Sequence, residues 1–156
     1  GCAGAADRLI GHMARANPHW QQFTRGRTLA VFHGPHAYVS PRWYVEPAQN
    51  VPTWNYAVVH VSGAVTMLDA AETRRVVAGV TAHFENGAWE PSEEKFSRLL
   101  PGVVGFAIAI ERVDAKVKMN QNRTRDDRVK VIDTLRASGR ADDAAVADWI
   151  IVDDGS

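Results

Sequence analysis

Three separated segments of this chain gather side chains that carry charge, hydrogen-bond or stack: Gly11-His12-Met13-Ala14-Arg15-Ala16-Asn17-Pro18-His19-Trp20, Val51-Pro52-Thr53-Trp54-Asn55-Tyr56 and Lys118-Met119-Asn120-Gln121-Asn122-Arg123. In the first, His12, Arg15 and Asn17 supply donors where a strand gives way to a helix. A guanidinium binds two oxygens of an anion at once, and a helix opening at Asn17-Pro18 aims free N–H groups at the same kind of ligand. In the second, Thr53, Trp54 and Asn55 precede a long apolar strand, where Trp54 offers a flat wall and Asn55 an edge partner. In the third, Lys116 and Lys118 share one strand face, and Gln121, Asn122 and Arg123 form a polar cluster entering a helix. Plainer roles compete for each: Asn17 as a helix cap, Trp54 as a core residue, the lysines as a solvated face.

Weaker signals are set aside on physical grounds. His33-x-x-His36 has the look of a metal pair, but Gly34-Pro35 is expected to force a turn and no further ligand stands nearby. Cys2 is the only cysteine, so neither an internal disulfide nor a multi-cysteine metal site can form. Ser40 and Ser62 lack the glycine context of a nucleophile elbow, and His60 reads as a satisfied strand histidine rather than a base. The expectation is no metal and no catalytic group.

The 156 residues suffice for one domain with a real core, and 46% hydrophobic with 23% charged residues is the composition of a globular protein. Lys plus Arg balance Asp plus Glu at 18 each, which argues against a domain-wide positive field for nucleic acid. No apolar run approaches a membrane span and no signal-peptide core precedes Leu9. A soluble, cytoplasmic protein without membrane contact is expected.

The elements that must position the segments follow from pattern. Leu9–Met13 reads as a strand, and Asn17-Pro18 opens a helix with Trp20 and Phe23 inward. Thr28–His33 is a short strand, turned by Gly34-Pro35 and continued by Ala37–Ser40 until Pro41 breaks it. Arg42–Val45 is another extended piece, and Glu46–Pro52 a loop. Tyr56–Leu68 is the long strand, with Ala57, Val59, Val61, Gly63, Val65 and Met67 on one face. Asp69 with Glu72 begins a helix whose inner face carries Val76, Val80 and Phe84, and Asn86-Gly87 ends it. Ser92 caps a second helix to Leu100. Val103–Val113 is the next strand, Lys116–Met119 extends the sheet, and helices follow over Arg125–Ala137 and Asp142–Ile151. Strands at both ends of a helical insertion indicate a small barrel with helices outside, in class mainly β or α+β.

Taken together, the three segments resemble the PaiB family, FMN-binding split-barrel proteins described as negative transcriptional regulators. The resemblance runs from about Leu9 to about Ser138. It rests on His-x-Ala-Arg-Ala-Asn-Pro and on Lys-x-Ser-Gln-Asn-Arg, where Asn120 replaces the usual Ser. It implies a single FMN-binding split-barrel domain over residues 1–156, with C-terminal helices over about 124–152 and the family's opening strands missing. It also implies a homodimer with flavin near the subunit interface. Arg15, Lys118 and Arg123 would face phosphate or another anion. His12, Asn17, Thr53, Asn55, Gln121 and Asn122 would be polar contacts, and Trp54 a wall, with the redox chemistry belonging to the cofactor.

Two other readings stay open. One is a flavin-dependent oxidoreductase of the broader superfamily; the other is a regulator or interaction protein without cofactor. DNA is a possible partner only weakly. The last two helices mimic a helix-turn-helix, but Asp142, Asp143 and Asp148 on the second would repel phosphates, and a packed helical hairpin is favoured.

Overall fold

A computed structural model describes residues 7–152; Cys2 and its small-residue neighbours lie outside them. The strands are β1 (Arg8–Ala14), β2 (Arg27–Val39), β3 (Thr53–Met67), β4 (Val103–Ala109) and β5 (Arg112–Lys118), and the helices α1 (Ala70–Glu85), α2 (Glu93–Leu99), α3 (Arg125–Ala137) and α4 (Ala141–Trp149). Among the described residues the strands form one five-stranded sheet of order β1-β4-β3-β2, with β5 also paired to β3. The chain divides into two compact units: Gly1–Ala30 with Val61–Val113, and Val31–His60 with Asp114–Ser156.

In the first unit β1 runs antiparallel to β4, with Gly11 opposite Phe106 and His12 opposite Gly105. A Cβ on Gly11 would fall 2.8 Å from the Phe106 ring, so this glycine makes room for the aromatic. The Phe106 ring also meets Phe23 edge-on at 5.0 Å. The helix expected from Asn17-Pro18 is a 3-10 helix, Pro18–Arg25, capped by the Asn17 side chain; Phe23 is buried and Trp20 half-buried. The Asp69–Glu72 pair forms a full reciprocal capping box on α1: Glu72 N–H donates to Asp69 Oδ1 at 2.7 Å, and Asp69 N–H to Glu72 Oε2 at 3.2 Å.

Two expectations fail in this unit. Val80 and Phe84 are not inside; they are 41% and 77% exposed. Helix α1 instead meets the sheet near its start, where Thr73 is buried so close to Gly105 that a Cβ there would sit 2.5 Å from Thr73 Oγ1. The single strand expected over Val103–Val113 is two strands, broken at Ile110-Glu111. The break has a cause: Glu111 N–H bonds Ser62 O at 3.1 Å, while Glu111 Oε1 accepts Ala64 N–H at 3.1 Å and Oε2 pairs with Arg27 at 2.5 Å. Glu111 thereby ties the chain to β3 where β4 stops.

In the second unit β2 continues through Gly34-Pro35 instead of turning. Gly34 lets the strands close up, since its Cβ would lie 3.0 Å from that of Ala57. Pro35 is tolerated because β2 ends the strand order, where a missing N–H leaves no ladder partner unpaired. The extended piece expected at Arg42–Val45 is a 3-10 turn, Pro41–Trp43, because Ser40 accepts Arg42 N–H and proline presets its first position. A second short turn, Pro47–Gln49, lies inside the expected loop. Strand β3 starts earlier than expected, at Thr53, and its core face is Asn55, Ala57, Val61 and Gly63, the last two lying in the first unit. Helices α3 and α4 bury Val131, Leu135, Val146 and Ala147, which join Val39, Tyr44, Ala57 and Met119 in one core. Val131, Leu135 and Val146 each contribute roughly 1.5–3 kcal/mol on burial, so the hairpin is anchored by apolar contact.

Candidate functional site

The residues singled out by chemistry fall in both units, His12, Arg15 and Asn17 in the first and the other seven in the second. His12 lies on the exposed face of β1, whose alternation leaves Gly11 and Met13 half-buried. Arg15 is tied to the turn before β4: its Nε donates to Pro101 O at 2.8 Å, one terminal nitrogen to Val103 O at 3.2 Å, and its backbone N–H to Gly102 O at 2.8 Å. The Arg15 guanidinium also lies 5.7 Å from the Trp20 ring, and Trp20 Nε1 donates to Arg15 O at 3.0 Å. Asn17 Oδ1 accepts His19 N–H at 3.0 Å, the capping bond. A guanidinium has five N–H donors, so Arg15 keeps donors beyond these two bonds, while the oxygen of Asn17 is engaged.

In the second unit Lys118 Nζ donates to Thr53 Oγ1, and both residues are half-buried. The pair still offers the Thr53 hydroxyl proton and further ammonium protons, a donor set suited to an anion. Next along β3, Trp54 projects outward and is 53% exposed. His36 and Tyr38 of β2 flank it at 6.2 and 6.0 Å between ring centroids. His33, Gly34, His36, Trp54 and Tyr56 line a cleft here. Asn55 points the other way: it is 0% exposed, and neither its amide oxygen nor its amide nitrogen has a partner. A buried amide without partners is uncommon.

The end of β5 is shaped by Gln121, whose Oε1 accepts Met119 N–H at 2.7 Å while Nε2 donates to Val117 O at 2.9 Å. Asn120 between them adopts a left-handed backbone, φ 59°, a conformation Asn tolerates better than most residues. The Asn122 side chain is exposed. Arg123 packs its guanidinium over the Tyr44 ring at 4.5 Å and donates from Nη1 to Asn50 Oδ1 at 2.5 Å. The surrounding pocket also holds Glu46, Asp126 and Asp127, so Arg123 already has negative neighbours.

Sequence reasoning missed His36 and Tyr38 as neighbours of Trp54, and Tyr44 and Asn50 as partners of Arg123. A signal for the first pair existed: Gly34, His36 and Tyr38 recur at every second residue, the period of one strand face. It was hidden by the turn expected at Gly34-Pro35. The second pair had no local signal, because Arg123 lies 73 residues from Asn50.

Comparison with known proteins bears on the fold and the family. The α+β fold is of the flavin-binding split-barrel type. Its similar solved structures include the flavocytochrome Anf3 from Azotobacter vinelandii, with TM-score 0.57 and 14% identity over 74% of this chain and 52% of that one. Another is the FAD and heme binding protein from Mycobacterium smegmatis, with TM-score 0.57 and 15% identity over 88% and 62%. The family model described as "Putative FMN-binding domain" matches residues 2–112, and the chain belongs to this FMN-binding family, with FMN as its cofactor.

Among curated relatives the chain is 36% identical over 135 residues to the Bacillus subtilis protein named Protease synthase and sporulation protein PAI 2, covering 82% of this chain and 64% of the relative. It is 32% identical over 174 residues to an uncharacterized Aspergillus fumigatus protein, covering 84% and 67%. The chain thus spans about two thirds of the length of these relatives. Among its described residues no helix is long and apolar enough to cross a membrane, and no group of three His, Cys, Asp or Glu could hold a metal ion.

The residues present fit the cofactor. A flavin needs donors for its phosphate and a flat wall for its ring system; Lys118 with Thr53 is a half-buried donor pair, and Trp54, on the opposite face of β3 from Thr53, is an exposed aromatic surface.

Proposed function

We propose that the chain is the FMN-binding part of a PaiB-like negative transcriptional regulator that works as a homodimer in the cytoplasm. The observation that carries the cofactor site is the half-buried Lys118–Thr53 donor pair. In this reading Lys118 and Thr53 hold the phosphate; the aromatic surface of Trp54, His36 and Tyr38 lies on the other face of β3. Asn122 supplies a further polar contact, while Asn55 is fully enclosed and stays out of reach of a ligand. Arg15 and Arg123, with His12 and Asn17, shape the local backbone and direct their remaining donors toward anions. FMN would supply two-electron redox chemistry; the protein would bind and orient it.

Support for regulation comes from the Bacillus subtilis relative, whose name refers to protease synthase and sporulation. Support for a dimer comes from exposed aromatics on β2 and β3: Tyr38 and Trp54 meet at 6.0 Å, and these and Phe32 are each about half exposed; large exposed apolar side chains of this kind suit an interaction surface.

The test is a visible spectrum of the purified chain, an FMN titration with the oligomer mass measured alongside, and a mobility-shift assay on the gene's own upstream DNA with and without FMN. Flavin bands that co-elute with a dimer, and a DNA shift that depends on flavin state, are the expected result. A colourless monomer indifferent to FMN overturns the reading. A flavin-loaded protein that leaves DNA unshifted and is bleached by NAD(P)H turns it into the oxidoreductase one.

A further inference from the structure

Gln121 makes the two hydrogen bonds that a neighbouring strand would make. Its side-chain carbonyl accepts from Met119 N–H at 2.7 Å and its amide donates to Val117 O at 2.9 Å. These are the backbone groups on either side of Lys118. In an extended strand the residues before and after a given position present their N–H and C=O along the same edge, so one amide side chain reaches both. The chain can fold back so tightly because Asn120 takes the left-handed conformation, φ 59°, and Arg123 N–H closes the turn on Asn120 O at 3.0 Å.

From this geometry we infer that Gln121 is a positioning residue for the phosphate site: it fixes the backbone of Lys118 so that the ammonium meets Thr53 and the phosphate of FMN, and does not itself touch the cofactor. The inference rests on the reading of Lys118 and Thr53 as the phosphate contacts. Both hydrogen-bonding ends of the Gln121 amide are already engaged with backbone, whereas Lys118 has protons left to give.

Riboflavin lacks the phosphate, so comparing the two flavins isolates that contact. Affinities for FMN and riboflavin are measured by flavin fluorescence for the parent chain, Lys118→Ala, Gln121→Met and the double variant, with thermal melting as a fold control. Gln121→Met keeps the length and removes both bonds. Its expected effect is an FMN affinity about tenfold weaker with riboflavin affinity unchanged, and no further loss when Lys118 is already Ala. Equal losses for both flavins, no loss for either, or a loss that persists in the Lys118→Ala background each overturn the positioning role.

Failure of the underlying reading looks different. There Lys118→Ala keeps the parent's preference for FMN over riboflavin, and the inference falls with it. Should Gln121→Met not fold, Gln121→Glu, which keeps the acceptor toward Met119 and loses the donor toward Val117, is carried through the same cycle. In the flavin-free chain, reductive methylation of Lys118 gives a readout independent of the cofactor. It is expected to speed up when Gln121 is replaced, and an unchanged rate counts against the geometry.

Discussion

Arg123 sits over Tyr44, its guanidinium carbon 4.5 Å from the ring centroid, at the point where the chain enters α3. The same guanidinium bonds Asn50, and Asp127 on the first turn of α3 accepts Val45 N–H at 2.8 Å. Three contacts thus hold the irregular stretch between β2 and β3 against the start of α3, and that stretch leads directly into Thr53 and Trp54. Arg123→Lys keeps the charge but loses the guanidinium over the ring and its fixed fork of donors. Urea denaturation is expected to show a loss of about 1 kcal/mol for Arg123→Lys and about 2 kcal/mol for Arg123→Ala, the range for a cation–π contact plus a charge-assisted bond. Equal stability of all three proteins would contradict the strap.

Asp127 is buried and accepts the Val45 backbone N–H at 2.8 Å. Replacing it with Ala leaves Val45 N–H unsatisfied, which costs about 1–3 kcal/mol. Hydrogen exchange at Val45 is expected to accelerate in Asp127→Ala, with little change at amides in the first unit. Uniform acceleration throughout would point to global destabilisation instead.

Gly63 has no room for a side chain. A Cβ built there falls 1.6 Å from Ala109 O, and the neighbouring Glu111 bonds occupy the rest of the space. Because the obstacle is backbone, Gly63→Ala must push the strands apart, and a destabilisation above about 3 kcal/mol is expected, beyond ordinary overpacking. A folded variant with an unchanged melting temperature would show that β3 and β4 can separate here without penalty.

Trp54 is half exposed, so Trp54→Ala is expected to change stability by less than about 1 kcal/mol. If it walls the flavin, the same change weakens FMN and riboflavin alike by about tenfold, unlike Lys118→Ala, which acts on FMN alone. Fluorescence titration with both flavins separates the two roles.

Glu93 accepts from Ser97 Oγ and from Arg74, and these bonds, in that order, hold its carboxyl below the ordinary carboxylate range. A depressed folded-state pKa stabilises the protein at pH above the unfolded-state value, and that contribution is lost as the pH falls through the folded-state value. The stability gap between the parent and Glu93→Gln is therefore expected to be constant near neutrality and to close on acidification. Because Glu93 is exposed the gap is small and shrinks in salt. Urea midpoints across an acid series check this, and a gap that widens on acidification would reverse the sign.

Local chemistry was readable from sequence wherever a bond closes within a few residues. Asp69 with Glu72, Asn17 with Pro18, Ser92 and Asn86-Gly87 mark their helix ends in the structure, and the alternation of β3 identifies its core face. The three polar segments also sufficed to indicate the FMN-binding family. The tertiary structure decided what depends on distant partners. Gly34-Pro35 stays in a strand because β2 is an edge strand packed on Ala57. The Val103–Val113 run breaks because Glu111 bonds Ser62 and Ala64. Phe84 is exposed because α1 meets the sheet at Thr73. The same division runs through the site: residue types singled out Lys118, Trp54 and Arg123, but only the fold pairs Lys118 with Thr53, sets Trp54 beside His36 and Tyr38, and places Arg123 on Tyr44. Period and capping are properties of neighbours along the chain, whereas those pairings join residues up to 79 positions apart, whose approach is set by the packing of the whole sheet and its helices.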